Sequence, residues 1–248
     1  MKMKKFIYIS DPHGHHVHEP SWSVVKQFVK DFEPDEIVYG GDVFDLSPIR
    51  KGASAEEKAQ SMEPDFEAGM RLFREVPPTR FILGNHDYRA WDQAQHGSGP
   101  VADFCIYLTR QIETWAKKNG VILYPYRADS YCRMNNRLKM VHGCFANMHT
   151  AKALAEFGGE PGCVIGAHTH SVDYYQVKSM AGIQEAYIVG CLHEIWQPYC
   201  ETRPNTTRHR HAFAFGEFEP GGNLYNVQVA KEDEDGVWRI PIKIKEYR

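Results

Sequence analysis

Five times in the first 170 residues a short apolar run stops at a cluster of Asp, His and Asn. Phe6-Ile7-Tyr8-Ile9 leads to Asp11-Pro12-His13, and Glu36-Ile37-Val38-Tyr39 leads to Gly41-Asp42-Val43-Phe44-Asp45. Residues 80–83 lead to Gly84-Asn85-His86-Asp87, residues 138–141 to His142-Gly143, and residues 163–166 to His168-Thr169-His170. Runs of this length, rich in aromatic and β-branched side chains, predict buried strands. In open α/β sheets, ligands gather in the crevice outside the carboxyl ends of the strands. The pattern therefore asks for a fold that brings five strand ends to one cleft. Gly41, Gly84, Gly143 and Gly166 let the backbone turn sharply beside the polar residues.

Between these runs the apolar residues take helical spacing. Ser21 is read as the cap of a helix carrying Val24, Val25, Phe28, Val29 and Phe32, ended by Pro34. Residues 53–75 predict a helix with Met62, Phe66, Met70 and Phe73 on one face, started or kinked at Pro64. A loop at 97–100 precedes a helix over 101–118, stopped by Asn119-Gly120, and a strand over 121–124. The second half reads mostly as strands: a hairpin of 131–134 with 138–142 around Asn135-Asn136, then 163–166, 172–177 and 186–189. A further hairpin, 212–218 with 224–229, and a last strand at 238–244 follow, with one helix at 150–157. This order predicts an α/β fold of two packed sheets with helices outside. No repeat or linker divides the chain, so a single domain over 1–248 is expected.

Composition narrows the partners. Lys+Arg 29 against Asp+Glu 32 gives 29 − 32 = −3, which predicts no broad electrostatic footprint for duplex nucleic acid. No apolar run approaches the roughly 18 residues that span a bilayer. The basic start is followed by too short an apolar stretch for a signal peptide, and the six cysteines form no CxxC pair. A cytoplasmic protein with reduced thiols is the expectation, and no membrane partner is foreseen. Histidine is unusual, with thirteen copies.

Carboxylate, amide oxygen and imidazole together suit hard and borderline divalent cations. Asp11, His13, Asp42 and His170 can make one site, and Asp42, Asn85, His142 and His168 a second that shares Asp42. The alternating histidines of His168-Thr169-His170 are read as facing one way on an extended segment. No cysteine stands among the candidates, which argues against a structural zinc site.

The ordered series Asp11-x-His13, Gly41-Asp42-x-x-Asp45, Gly84-Asn85-His86-Asp87, His142 and Ala167-His168-Thr169-His170 resembles the calcineurin-like metallophosphoesterase superfamily, in particular its compact bacterial and phage members. Ala167 stands where that family usually has Gly; its methyl crowds the turn but removes no ligand. The resemblance covers residues 6–170. It implies a four-layer αββα sandwich with the metal site at strand C-terminal ends. It also implies two divalent metal ions, Mn favoured and Fe, Zn, Ni or Co also suitable, with phosphate-ester hydrolysis by a metal-bridging hydroxide. His86 is implied as the proton donor to the leaving oxygen, Asp87 as the group that orients His86 and raises its pKa, and Asp45 as a residue fixing a ligand by hydrogen bond.

The remaining residues are less sharply marked. His15 and Arg89 are the candidate substrate contacts, although Arg89 could equally form a surface ion pair. His16 and His18 are read as solvated, Arg208-His209-Arg210-His211 as a solvated run or a groove lining, and Tyr88, Trp91 and Trp196 as packing rather than base stacking. The function expected is a phosphodiesterase acting on nucleotides or nucleic acid. The alternatives are a phosphomonoesterase, including a protein phosphatase, and a non-catalytic metal-binding interaction module. Oligomeric state is not legible in these residues.

Overall fold

The computed structural model describes residues 2–147, 149–195 and 204–240. Its first sheet has seven strands in the order β12-β11-β10-β1-β2-β3-β4. These are β1 (Lys4–Ile9), β2 (Glu36–Tyr39), β3 (Arg80–Ile82), β4 (Ile122–Tyr124), β10 (Ala212–Phe218), β11 (Tyr225–Glu232) and β12 (Trp238–Arg239). β1 to β4 run parallel, while β10 lies antiparallel to β1 and continues as a meander. The second sheet has the order β5-β6-β7-β9-β8, from β5 (Cys132–Arg133), β6 (Leu138–Met140), β7 (Gly162–Gly166), β8 (Asp173–Ser179) and β9 (Gly182–Ile188).

Three apolar interfaces make four layers. The inner faces of the two sheets meet through Phe6, Tyr8, Val38 and Ile82 on one side and Leu138, Met140, Cys163 and Ile165 on the other. The outer face of the first sheet (Ile7, Ile9, Phe81, Phe213, Phe215) packs on α1 (Glu19–Phe32), α3 (Glu63–Glu75) and α5 (Gly99–Asn119). α6 (Thr150–Phe157) covers the second sheet through Ala151, Leu154 and Ala155 against Val164, Ala186 and Ile188. The αββα sandwich of two mixed sheets expected from the sequence is the fold observed.

Several boundaries differ from the sequence reading. α1 begins at Glu19, with Pro20 in its first turn, because proline lacks only an N–H that is unpaired there anyway. Ser21 is therefore inside the helix, and its hydroxyl meets His18 Nδ1 at 2.7 Å. Residues 53–75 divide into α2 (Ala55–Lys58), opened by a Ser54/Glu57 capping box, and α3, with Pro64 again in the first turn. α4 (Asn85–His96) starts inside the polar motif itself. β8 and β9 are longer than read, because their outer ends are polar and form an exposed hairpin tipped by Met180. The last strand is described only as Trp238–Arg239; residues 241–244 lie outside the described residues. Among the described residues, no helix is long and apolar enough to cross a membrane.

Candidate metal centre

The ends of β1, β2, β3, β6 and β7 open on one cleft, and the loops that leave them are conformationally demanding. Asp11, His13, Asp42, His168 and His170 all have φ between 51 and 73°. Non-glycine residues are uncommon there and cost about 1–3 kcal/mol each unless the surroundings fix them. Backbone bonds between loops do so: Asp11 N donates to Gly41 O (3.0 Å), His13 N to Asp42 O (2.9 Å) and Gly14 N to Val43 O (2.7 Å). His168-Thr169-His170 is thus not an extended segment, as the sequence suggested. Alternating left-handed residues turn both imidazoles inward instead. Ala167 is fully buried in the inter-sheet core, with its N–H on His142 O.

Hydrogen bonds behind the imidazoles of His142 and His13 fix which nitrogen faces the cleft. His142 Nδ1 lies 2.8 Å from Gly40 O; a carbonyl only accepts, so Nδ1 carries a hydrogen, and in the neutral ring the lone pair is on Nε2. That Nε2 faces Asn85 Oδ1 at 3.0 Å and Asp42 Oδ2 at 3.4 Å. His13 Nδ1 lies 3.0 Å from Asp45 Oδ1, and its Nε2 faces His170 Nε2 at 3.3 Å. Asp42 Oδ1 accepts from His86 N at 2.8 Å, at the start of α4, which leaves Oδ2 turned into the cleft. Asp11 Oδ1 is buried, accepts no hydrogen bond and lies 3.3 Å from His170 Nε2. With the rings neutral, lone pairs therefore point at lone pairs across a buried space, an arrangement that a proton relieves in part and a cation satisfies. Two overlapping groups, Asp11/His13/Asp42 and Asp42/His142/His168, have ligand atoms close enough to hold ions, and they share Asp42.

The charges agree. Burial disfavours the imidazolium of His13, yet Asp45, Asp42 and Asp11 hold its pKa up to about 9. Burial likewise opposes charge on His142, and Asp42 and Asp11 raise it to about 9. Burial works against the Asp42 carboxylate too, but His142, His86 and His13 hold its pKa well below the usual range. Burial and the neighbouring His142 push His168 down to about 4.

Asp87 departs from its expected role. It is fully buried, accepts from Phe44 N (2.9 Å) and Gly84 N (2.8 Å), and so pins the first turn of α4 to the β2 loop. Burial and nearby Asp42 push its carboxyl up to about 7. The group that meets the His86 imidazole is Asp45, whose Oδ1 lies 2.9 Å from Nδ1 while also holding His13. Burial keeps the His86 pKa below the usual histidine value rather than above it. Asp45 is further held by the Ser47 hydroxyl.

At the rim, Arg89 Nη1 donates to Asp45 O (2.7 Å), so the guanidinium leans on the same loop as His86. Beside it opens a cleft of about 620 Å³ lined by Ile49, Arg50, Lys51, Arg89, Asp92 and Gln93. His15 is half-exposed, its Nδ1 held at 3.0 Å by buried Asp65 of α3. His18 is not solvated: its ring stacks on His211 with centroids 4.2 Å apart. The run 208–211 alternates, with His209 and His211 buried and the arginines outward, and His209 stands edge-on to His170 at 4.7 Å. Trp91 donates to Glu113 on α5, while Trp196 lies outside the described residues. Sequence reasoning missed His193, whose Nε2 lies 3.0 Å from His170 Nδ1. Its signal was present: the apolar run from Ala186 to Leu192 ends at His193, a sixth case of the same pattern.

Comparison with known proteins adds a family. The family described as calcineurin-like phosphoesterase matches residues 4–172. The Gene 54 protein of Mycobacterium phage D29 is 36% identical over 100 residues, covering 36% of this chain and 38% of that protein, so the chain spans well under half the length of that relative. Among solved structures, Vps29 of Chaetomium thermophilum is similar at 10% identity and a TM-score of 0.49, covering 98% of this chain and 96% of that one. A predicted phosphoesterase of Streptococcus pneumoniae TIGR4 is similar at 15% identity and a TM-score of 0.37, covering 92% and 99%.

Proposed function

Because this chain belongs to the calcineurin-like phosphoesterase family, we propose that it is a dimetal phosphoesterase that prefers phosphodiesters and acts on nucleotides or nucleic-acid ends. The observation that carries the reading is the convergence of the Nε2 atoms of His13, His170 and His142 on Asp11 Oδ1 and Asp42 Oδ2. Asp11, His13, Asp42 and His170 would hold one cation, and Asp42, Asn85, His142 and His168 the other. Mn²⁺ is the favoured occupant; Fe, Zn, Ni and Co suit the same donors. When bound, such a pair acidifies water for attack on phosphorus and neutralises charge on the phosphoryl oxygens.

The protein's own groups do the rest. Asp45 takes the Nδ1 hydrogen of His86, and in the imidazolium form Nε2 carries the second proton, which it would give to the departing ester oxygen to leave the neutral ring. Burial, which holds the His86 pKa below the usual histidine value, makes that imidazolium a stronger acid and confines it to lower pH. Arg89, Arg50 and Lys51 along the adjoining cleft offer cations to phosphates on the second arm of a diester. That cleft, joined to the site through Arg89 on the Asp45 loop, is what favours a diester over a monoester.

The test strips the protein with chelator, reloads it with Mn²⁺, and compares bis(p-nitrophenyl) phosphate with p-nitrophenyl phosphate, using Asp42→Asn as the control. Diester preference that vanishes in the control supports the reading. Monoester preference replaces it with a phosphomonoesterase. Two bound metals with neither substrate turned over would overturn the open diesterase and leave a binding module.

A further inference from the structure

Behind the metal ligands runs a line of polar groups that the motif series does not include. His193 is 2% exposed and follows β9 on a segment laid against the β1 loop. Leu192 N donates to Asp11 O (3.2 Å), Glu194 N donates to His16 O (2.7 Å), and residues 17 and 193 form an antiparallel bridge. The ring therefore has a fixed place. Its Nδ1 lies 2.7 Å from Glu194 O, and a carbonyl only accepts, so the hydrogen is on Nδ1. A neutral imidazole with its hydrogen on Nδ1 has its lone pair on Nε2. That Nε2 lies 3.0 Å from His170 Nδ1, so His170 must donate through Nδ1. His170 is thereby left with its Nε2 lone pair facing Asp11 Oδ1 and His13 Nε2, both at 3.3 Å.

We propose that His193 is a positioning residue: it holds His170 in the tautomer and orientation that present Nε2 to the metal centre, and His211 with Glu232 braces it from behind. A metal-bound histidine commonly donates its other N–H to a carboxylate or carbonyl, and losing that partner typically costs 10–100-fold in affinity. Here a neutral imidazole takes that part. The brace is visible in the contacts. His211 Nε2 donates to His193 O at 2.9 Å, and His211 Nδ1 meets the Glu232 carboxylate on β11. His18 stacks on the outer face of His211 with 10° between the rings. In-plane lone pairs of two stacked rings lie in parallel planes and do not meet at one ion, so His18, His211 and Glu232 form a brace and not a second metal site.

The inference rests on the metal-centre reading, and its test separates the two. Full-length protein labelled with ¹⁵N in histidine, metal-free and Zn²⁺-loaded, reports each ring tautomer by long-range ¹H–¹⁵N correlation. A His193 hydrogen on Nδ1, in both states, is expected; a hydrogen on Nε2 overturns the proposal. In parallel, Co²⁺ uptake is followed by visible absorption in the native protein, His193→Leu and His193→Gln. His193→Leu is expected to weaken one of the two ions about 10–100-fold and leave the other unchanged, while His193→Gln, whose amide oxygen reaches the place of Nε2, recovers to within about threefold. Native affinity in His193→Leu, or no recovery in His193→Gln, overturns the proposal. Should His193→Leu fail to fold, His193→Gln and the tautomer measurement decide. A native protein that binds no Co²⁺ sinks the metal centre itself, and the metal-free spectrum still judges the His193–His170 pair.

Discussion

His86 and Asp87 are neighbours in sequence and part company in space. They occupy the first turn of α4, where successive side chains are about 100° apart around the axis. His86 turns to the cleft, and Asp87 turns into the protein to take two backbone N–H groups. The two substitutions should therefore fail differently. His86→Ala is expected to keep both metals, by elemental analysis, while turnover of an alkyl-like leaving group falls about 10²–10⁴-fold. Asp87→Ala leaves two buried donors unpaired at about 1–3 kcal/mol each, so its urea midpoint should fall by the equivalent of about 2–6 kcal/mol. An Asp87→Ala protein of native stability would refute the anchoring role. The motif series gave the identities of the ligand candidates, because residue types at strand ends are written in the chain. It did not give the partner of His86, since that depends on which way a helix starts.

The loops between elements explain both what the sequence revealed and what it hid. Strands β1 to β4 and the helices packed on them were legible, because buried runs and 3.6-residue spacing are local signals. The helical start at Asn85 was masked by its own chemistry, since Gly-Asn-His-Asp reads as a turn and the cap is Gly84 itself. β9 was read short because Gln184 and Glu185 interrupt its apolar run. The left-handed loops were not legible at all, because five of the seven ligand candidates adopt φ values that their side chains do not favour. Gly84 shows how tight these loops are: a Cβ there would lie 2.1 Å from Asp42 Oδ1 and 2.4 Å from Asp42 N. Gly84→Ala is expected to displace Asp42, the carboxylate shared by both candidate sites, and to weaken metal uptake at least about tenfold in a chelator competition. Native uptake would mean that Asp42 is less constrained than its surroundings indicate.

At the scale of the molecule, the candidate centre joins the two sheets. Asp11, His13, Asp42 and Asn85 come from the β1, β2 and β3 ends of the first sheet, and His142, His168 and His170 from the β6 and β7 ends of the second. Ions held by both sets would tie the sheets across their open edge. A ligand at 100 times its Kd adds about 2.7 kcal/mol to the native state, and a domain of this size gains roughly 2–4 °C per kcal/mol, so Mn²⁺ should raise Tm by about 5–10 °C over chelator-treated protein. The gain should depend on pH in a definite direction. In the metal-free protein His13 and His142 have pKa values raised to about 9, so they stabilise it fully below pH 6.5 and progressively less as pH rises to about 9. Bound metal displaces those protons, so its affinity grows over the same window. The Tm difference between loaded and stripped protein should therefore widen from pH 6.5 to 9, and Asp42→Asn should remove it at every pH. A difference that narrowed with rising pH would show that the ions do not compete with protons on His13 and His142, and would place them elsewhere than between the two sheets.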